Sequence, residues 1–329
     1  MAPLLRVSDL RTYYIGFRGT RVVKAVDGIS FSVEAGETFG LVGESGCGKT
    51  TTCHSIVRLL PPSAQIVGGS IELEGEDLVK MSQAEMRRIR GRRIATILQD
   101  PMASLDPLFS VYDQVAEPVY YHQSLRGQKL RQRVKELLAA VRIPSPERRM
   151  RDYPHQMSGG MRQRIVGAIA QAGGPRIIIA DEPTTNLDVT IQLQYLNLLK
   201  DLQRATGVAL IFVTHNLGIV AKMCDNVAVM YAGKIVEMQS VRGLFYRPRH
   251  PYTRALLDSI PKLGVKEPLY GIPGQPPDLA ALPVGCSFHP RCRQAMDRCR
   301  IEEPWQHDLN GDGNVRCWLP IDEEAAGRG

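Results

Sequence analysis

The chain has no apolar run long enough to cross a membrane, which takes about 20 residues. Its start, Met1-Ala2-Pro3-Leu4-Leu5-Arg6, carries no signal-peptide pattern. Together these absences predict a cytoplasmic or peripheral protein that borrows any membrane path from other chains. There is no internal repeat, so the 329 residues hold one copy of the machine and not a tandem pair. Aromatics are only 6% of the chain, and the basic clusters show no arginine–aromatic interleaving to argue nucleic-acid recognition. Cysteines number seven, and a cytoplasmic protein rarely keeps disulfides.

What is present is ordinary for a globular protein: 43% hydrophobic and 23% charged residues, with a length that suits about two domains. The net charge of +7 favours anionic partners such as nucleotide, lipid head groups or nucleic acid. Basic residues cluster at Arg87–Arg93 and Arg126–Lys135. The second cluster reads as a helix with Leu130, Val134, Leu137, Leu138 and Val141 on one face, so its charges are its solvated side.

The most informative segment is Gly43-Glu44-Ser45-Gly46-Cys47-Gly48-Lys49-Thr50. A short apolar strand, Thr38–Val42, runs into it, and a helix over about Thr50–Leu60 follows, with Cys53, Ile56, Val57 and Leu60 facing the core. Strand, glycine loop and helix in that order make a phosphate-binding loop. Glycines let backbone amides converge on phosphate oxygens, and the helix N-terminus favours the same anion. Lys49 is placed for the β- and γ-phosphates and Thr50 for Mg²⁺, and Thr51 is a further nucleotide-binding candidate. Cys47 stands where serine is more usual; it reads either as a tolerated substitution or as a thiol whose alkylation blocks nucleotide.

Ile177–Ala180 is a β-branched run with the composition of a strand buried on both faces, and it ends in Asp181-Glu182-Pro183. Ligands in open α/β sheets bind at such strand ends. Asp181 is placed to hold Mg²⁺ and Glu182 to polarise an attacking water. A second buried strand, Val208–Val213, ends at Thr214-His215-Asn216, where His215 can sense the terminal phosphate. Gln99, after the strand Arg93–Leu98, is placed for Mg²⁺ or the attacking water.

Other elements are legible locally. Leu4–Tyr14, Gly28–Glu34 and Ser70–Glu74 read as strands, and Ser82-x-x-Glu85 as a capping box. Asp188–Ala205 has helical leucine spacing and Gly207 as its C-cap. Val227–Tyr231 and Lys234–Met238 flank Ala232-Gly233 as a hairpin. After about Tyr246 prolines crowd, which predicts a small appended segment of short turns. Four cysteines fall there, Cys286, Cys292, Cys299 and Cys317, separated by five, six and seventeen residues. Clustering of this kind points to a metal staple in a segment too small for a large core. The spacing alone leaves zinc, iron–sulfur and free thiols open.

These motifs, with Ser158-Gly159-Gly160 and Asn186-Leu187-Asp188, resemble the ATP-binding cassette (ABC) ATPases over roughly residues 4–245. The resemblance implies a RecA-like α/β P-loop core with an antiparallel β subdomain, and a helical subdomain at about residues 100–165. It also implies that Ser158, Gly159 and Gly160 contact ATP on a second subunit, that Asp188 belongs to the nucleotide site, and that Tyr14 stacks on adenine, with Tyr13 as the alternative. The signature rules out a non-ABC P-loop kinase.

A narrower resemblance rests on Gln99-Asp100-Pro101-Met102-Ala103-Ser104-Leu105-Asp106-Pro107, on Arg249-His250-Pro251-Tyr252-Thr253 and on the four tail cysteines. It is to the importer ATPases for dipeptides, oligopeptides and nickel, and it divides the chain into 1–245 and 246–329. It implies ATP and Mg²⁺, a [4Fe–4S] cluster on Cys286, Cys292, Cys299 and Cys317, and coupling through Gln99–Pro107. The implied partners are a second ATPase subunit, two transmembrane permeases and an extracytoplasmic solute-binding protein, at the cytoplasmic face of the inner membrane, with no nucleic acid. The alternatives are a nickel or other small-solute importer, or a soluble ABC ATPase acting on nucleic acid or ribosomes.

Overall fold

The computed structural model describes residues 2–16, 19, 21–98, 100, 104–185, 187–261, 271–309, 311 and 313–319. The chain folds as two compact units whose segments alternate in sequence.

One unit comprises residues 1–3, 33–38 and 80–213. Ile94–Ile97, Ile177–Asp181 and Ala209–Thr214 form parallel strands in that order, with Ile94 opposite Ile177 and Ile177 opposite Ala209. The middle strand, Ile-Ile-Ile-Ala-Asp, is buried at every position, as its lack of alternation predicts. Three helices pack together beside it in sequence: Val111–Gln123, Gly127–Ala140 and Gly159–Ala172. Val134, Leu137 and Leu138 are buried on the second of these, and Lys129 and Arg131 are exposed, so the basic cluster is a solvated face. Ser82 and Glu85 form the predicted capping box, and Ser110 and Asp113 form another. The helix Val189–Thr206 ends at Gly207, whose φ of 69° puts it in the left-handed cap.

The other unit comprises residues 4–32, 39–79 and 214–329. Its first sheet contains β1 (Leu5–Ile15), β2 (Val22–Val33), β4 (Ala64–Leu73) and β5 (Glu76–Asp77) in the order β2-β1-β4-β5. β1 and β4 run antiparallel from Leu5 opposite Leu73 to Tyr14 opposite Ala64. The sheet is larger than the sequence predicts, because β2 and β4 each begin about six residues earlier. The added residues include Lys24, Asp27, Gly68 and Gly69, which carry little strand propensity of their own.

In the second sheet of this unit, β3 (Thr38–Val42) lies parallel to Asn226–Tyr231, with Phe39 opposite Asn226. That strand forms a hairpin with Lys234–Ser240. Ala232 and Gly233 both have positive φ, 47° and 82°, as a two-residue turn of matching twist requires. The proline-rich tail is not wholly irregular. Gly313–Val315 pairs antiparallel with Glu237–Gln239, so the tail adds backbone hydrogen bonds to the hairpin's free edge.

Candidate active site

The phosphate loop leaves β3 with little room behind it. A Cβ at Gly43 would lie 2.3 Å from the Met230 carbonyl oxygen, and one at Gly48 would lie 2.2 Å from the Ala25 carbonyl oxygen. The two glycines also have φ of 159° and 110°. Sterics and conformation both demand glycine there. The Gly233 amide donates to the Cys47 carbonyl at 2.9 Å, which ties the loop to the hairpin turn. Lys49 is buried and its Nζ donates to the carbonyls of Gly43 (2.8 Å) and Glu44 (3.0 Å). Ser45, Gly46 and Thr50 are exposed, so the loop presents its outer arc to solvent.

The helix after the loop spans Lys49–Ile56, shorter than predicted. Cys53, Ile56 and Val57 of the expected core-facing stripe are buried and Leu60 is half-buried, but the buried surface is wider than the stripe: Lys49, Thr51, Thr52 and Ser55 are buried too. The polar side chains are satisfied inside: Thr52 donates to the Gly48 carbonyl, and the hydroxyls of Ser55 and Thr12 share a bond of 2.8 Å. Cys47 is buried with Sγ 3.8 Å from Lys49 Nζ, and burial pushes its thiol pKa up despite that cation. A protonated, enclosed thiol fits the tolerated substitution. Along β1 the side chains alternate, so Tyr14 shares a face with Thr12 and its hydroxyl comes 3.4 Å from Thr51 Oγ1. Tyr13 lies on the opposite face and donates to Asp27 at 2.6 Å.

Two contacts of the loop have no counterpart in the sequence reading. The Glu44 carboxylate receives both terminal nitrogens of Arg291, at 2.7 and 3.0 Å, and the Glu44 amide donates to the Tyr252 hydroxyl at 3.0 Å. Arg291 is 247 residues from Glu44, so no local pattern could have found the pair.

In the other unit, the strand Ile177–Asp181 delivers a buried Asp181. Glu182 follows with φ of 45°, a left-handed conformation unusual for glutamate and of a kind that collects at functional sites. Its amide donates to the Val213 carbonyl at 2.9 Å, and Thr185 donates to its carboxylate at 3.1 Å. Ser158 caps the helix Gly159–Ala172, accepting from the Met161 amide at 3.3 Å. Ser158 and Gly159 are exposed. Inside that helix Gln163, 1% exposed, donates to the Pro183 carbonyl at 2.6 Å and links the signature helix to the acidic turn. Asp188 caps Val189–Thr206 through the Ile191 amide at 2.9 Å. Gln99, Pro101–Ala103 and Asn186 lie outside the described residues.

His215 is exposed just past the strand Ala209–Thr214. Asn216 caps the next helix, Leu217–Met223, by accepting from the Gly218 and Ile219 amides.

The four tail cysteines line one small cavity, walled also by His250, Phe288, Pro304 and Trp318. Burial above all, with the neighbouring thiols of the same cavity adding to it, pushes the Cys286 thiol up to about 11 and the Cys317 thiol up to about 12. Among the described residues no three His, Cys, Asp or Glu side chains gather closely enough to grip one metal ion. An all-sulfur donor set spread around a cavity suits a multi-atom cluster better than a single tetrahedral zinc.

Comparison with known proteins decides the family. The ABC transporter family profile matches residues 26–185, and that of the oligopeptide/dipeptide transporter C-terminal region matches residues 236–299. The dipeptide transport ATP-binding protein DppD of Bacillus subtilis is 48% identical over 321 residues, 97% of this chain and 95% of that protein. The chain belongs to the peptide ABC transporter ATP-binding subunits. A probable peptide ABC transporter ATP-binding protein, y4tR of Sinorhizobium fredii, is likewise 48% identical, over 96% of this chain and 94% of that protein. Among solved structures, the dimeric post-hydrolysis state of the cassette MJ0796 bound to ADP and Pi aligns with a TM-score of 0.64 and 25% identity. It covers 73% of this chain and 99% of that one. The subunit is an ABC-type ATPase with the cassette fold, and no helix among its described residues is long and apolar enough to cross a membrane.

Proposed function

We propose that this ATPase drives uptake of di- or oligopeptides through a membrane importer, acting at the cytoplasmic face as one of two cassettes. The observation that carries the reading is the match of residues 236–299 to the oligopeptide/dipeptide C-terminal region, backed by peptide-transport relatives at 48% identity along nearly the whole chain. Its partners are a second ATPase subunit, two permeases and a solute-binding protein.

The loop amides of residues 43–51 and the Lys49 ammonium hold the β- and γ-phosphates, and Tyr14 packs on the adenine. Thr50, Asp181 and Gln99 would hold Mg²⁺, which would neutralise charge on the phosphates. Ser158, Gly159, Gly160 and Asp188 serve the nucleotide of the second cassette; the exposed, capped start of the signature helix supports that role. Glu182 takes a proton from the attacking water and His215 orients it. The left-handed backbone at Glu182 and the bond from Thr185 support a fixed carboxylate there. Hydrolysis then resets the pair.

The purified importer tests this. With Glu182→Gln we expect ATP turnover to fall by about 10²–10⁴, the scale of a lost general base, with ATP still bound. Undiminished turnover would exclude Glu182 as the base. An N-terminal tag should bring down two multi-span permeases and a second cassette, and the reconstituted complex should take up labelled peptide. Uptake of nickel and not peptide would move the substrate, and recovery of ribosomal or DNA-associated proteins without permeases would overturn transport.

The tail cysteines carry a second proposal. Cys286, Cys292, Cys299 and Cys317 hold a [4Fe–4S] cluster that closes the tail around a rigid centre, supported by their convergence on one cavity. Raised thiol pKa values mean that loading releases protons. Anaerobically purified protein should be brown and contain about four iron and four sulfide per chain. Colourless, iron-free protein would overturn the assignment.

A further inference from the structure

Glutamate is a costly residue inside a loop that binds a triphosphate, because its carboxylate stands beside the ligand's own negative charge. Here that carboxylate is neutralised from behind. Arg291 reaches Glu44 with two nitrogens, at 2.7 and 3.0 Å, in the planar fork geometry that a lysine cannot reproduce. The Arg291 side chain is only 5% exposed, and that of Glu44 is 27% exposed. Two further guanidinium donors are used as well: Nε donates to the Pro273 carbonyl at 2.9 Å, and Nη1 lies 3.4 Å from the Tyr231 hydroxyl.

The arginine is itself held by its turn. His289–Arg291 is a single 3-10 turn, with Phe288 before it and Cys292 after it. The Phe288 ring packs against Tyr231 and Tyr252, with ring centroids 5.1 and 5.3 Å away. Tyr252 accepts from the Glu44 amide, so one aromatic cluster supports both grips on the loop.

We propose that Arg291 is a positioning residue of the phosphate loop: it fixes and neutralises Glu44 from the rear, so that nucleotide affinity depends on the fold of the C-terminal cysteine turn. The inference rests on the reading that this loop binds ATP. Without Arg291 an unpaired carboxylate faces the phosphates, and the loss grows with phosphate charge. Removing that carboxylate as well restores most of the affinity, which a loss through misfolding alone would not do.

The test uses the full chain, titrated with a non-hydrolysable ATP analogue plus Mg²⁺, and separately with MgADP. Arg291→Ala should weaken the ATP analogue about tenfold or more, since one uncompensated charge close to an anion costs about fivefold in water and more at a protein surface, and MgADP less. The double variant Arg291→Ala with Glu44→Gln should recover to within about threefold of wild type. Arg291→Lys, which keeps the charge and spares the packing, should fall between wild type and alanine and covers the case in which the alanine variant does not fold. Wild-type affinity in Arg291→Ala or Arg291→Lys would overturn the inference. So would a loss that the second substitution does not relieve, tracking a lower melting temperature. A wild-type chain that binds neither nucleotide would bring down the ATP reading itself.

Discussion

Gly48 and Gly159 both sit where a glycine-rich turn enters a helix, and their surroundings are opposite. A methyl group on Gly48 would be driven to 2.2 Å from the Ala25 carbonyl, whereas one on Gly159 would meet nothing within 4 Å. The phosphate loop is braced from behind by the Gly233 amide, Tyr252 and Arg291. The signature turn is held by the Ser158 cap and by Arg162 Nε, which donates to the Met157 carbonyl at 2.9 Å, and its Ser158 and Gly159 are exposed. A loop that grips its own ligand is preorganised by packing. A surface of that kind left open is suited to a ligand supplied by another subunit, as the proposed dimer requires.

The largest effect that would break this comparison is at Gly48. Gly48→Ala should lower ATP affinity by more than about a hundredfold, because the clash is with backbone and φ is 110°; equilibrium titration of the full chain reads it. Next is Ser158→Ala, which removes the helix cap and should cost about 1 kcal/mol of stability in denaturant melts while leaving ATP binding by the single chain unchanged.

The bracing behind the phosphate loop also has a pH window. His250 is buried and accepts from the Tyr252 amide through Nδ1 at 3.0 Å, and burial lowers its pKa from about 6.5 to about 3. The unfolded chain takes up a proton below about 6.5 and the folded chain does not until about 3. The neutral histidine therefore contributes its stability fully above pH 6.5, and loses it as the pH falls through that window. His250→Gln, which keeps an acceptor, should flatten melting temperature against pH across it. The smallest expected effect is Gly159→Ala, within about 0.5 kcal/mol on folding, with single-chain nucleotide affinity unchanged. A large loss of that affinity would erase the contrast with Gly48.

Much of this organisation could be read in one dimension. Buried strands such as Ile177–Asp181 announce themselves by an unbroken β-branched run, and caps such as Ser82 and Gly207 by chemistry confined to three or four residues. Less legible were the elements stabilised by distant partners. β2 and β4 start earlier than their composition indicates, and the helix Lys49–Ile56 is buried at six of its eight residues because polar residues such as Thr52 and Ser55 find bonds inside. Periodicity predicts a stripe only when polar side chains need water.

By itself the sequence determined the chemistry: a glycine loop with Lys49 and Thr50, an acidic strand end at Asp181 and Glu182, a signature at Ser158–Gly160 and four clustered cysteines. Each depends on residue types at short spacing, which the chain carries wherever it folds. Only the tertiary structure decided that Tyr14 and not Tyr13 faces the phosphate-loop helix, that Cys47 is enclosed, that four cysteines spread over 32 residues share one cavity, and that Arg291 closes on Glu44. Those outcomes depend on which distant backbones pack together, and no local pattern encodes a contact between residues 247 apart.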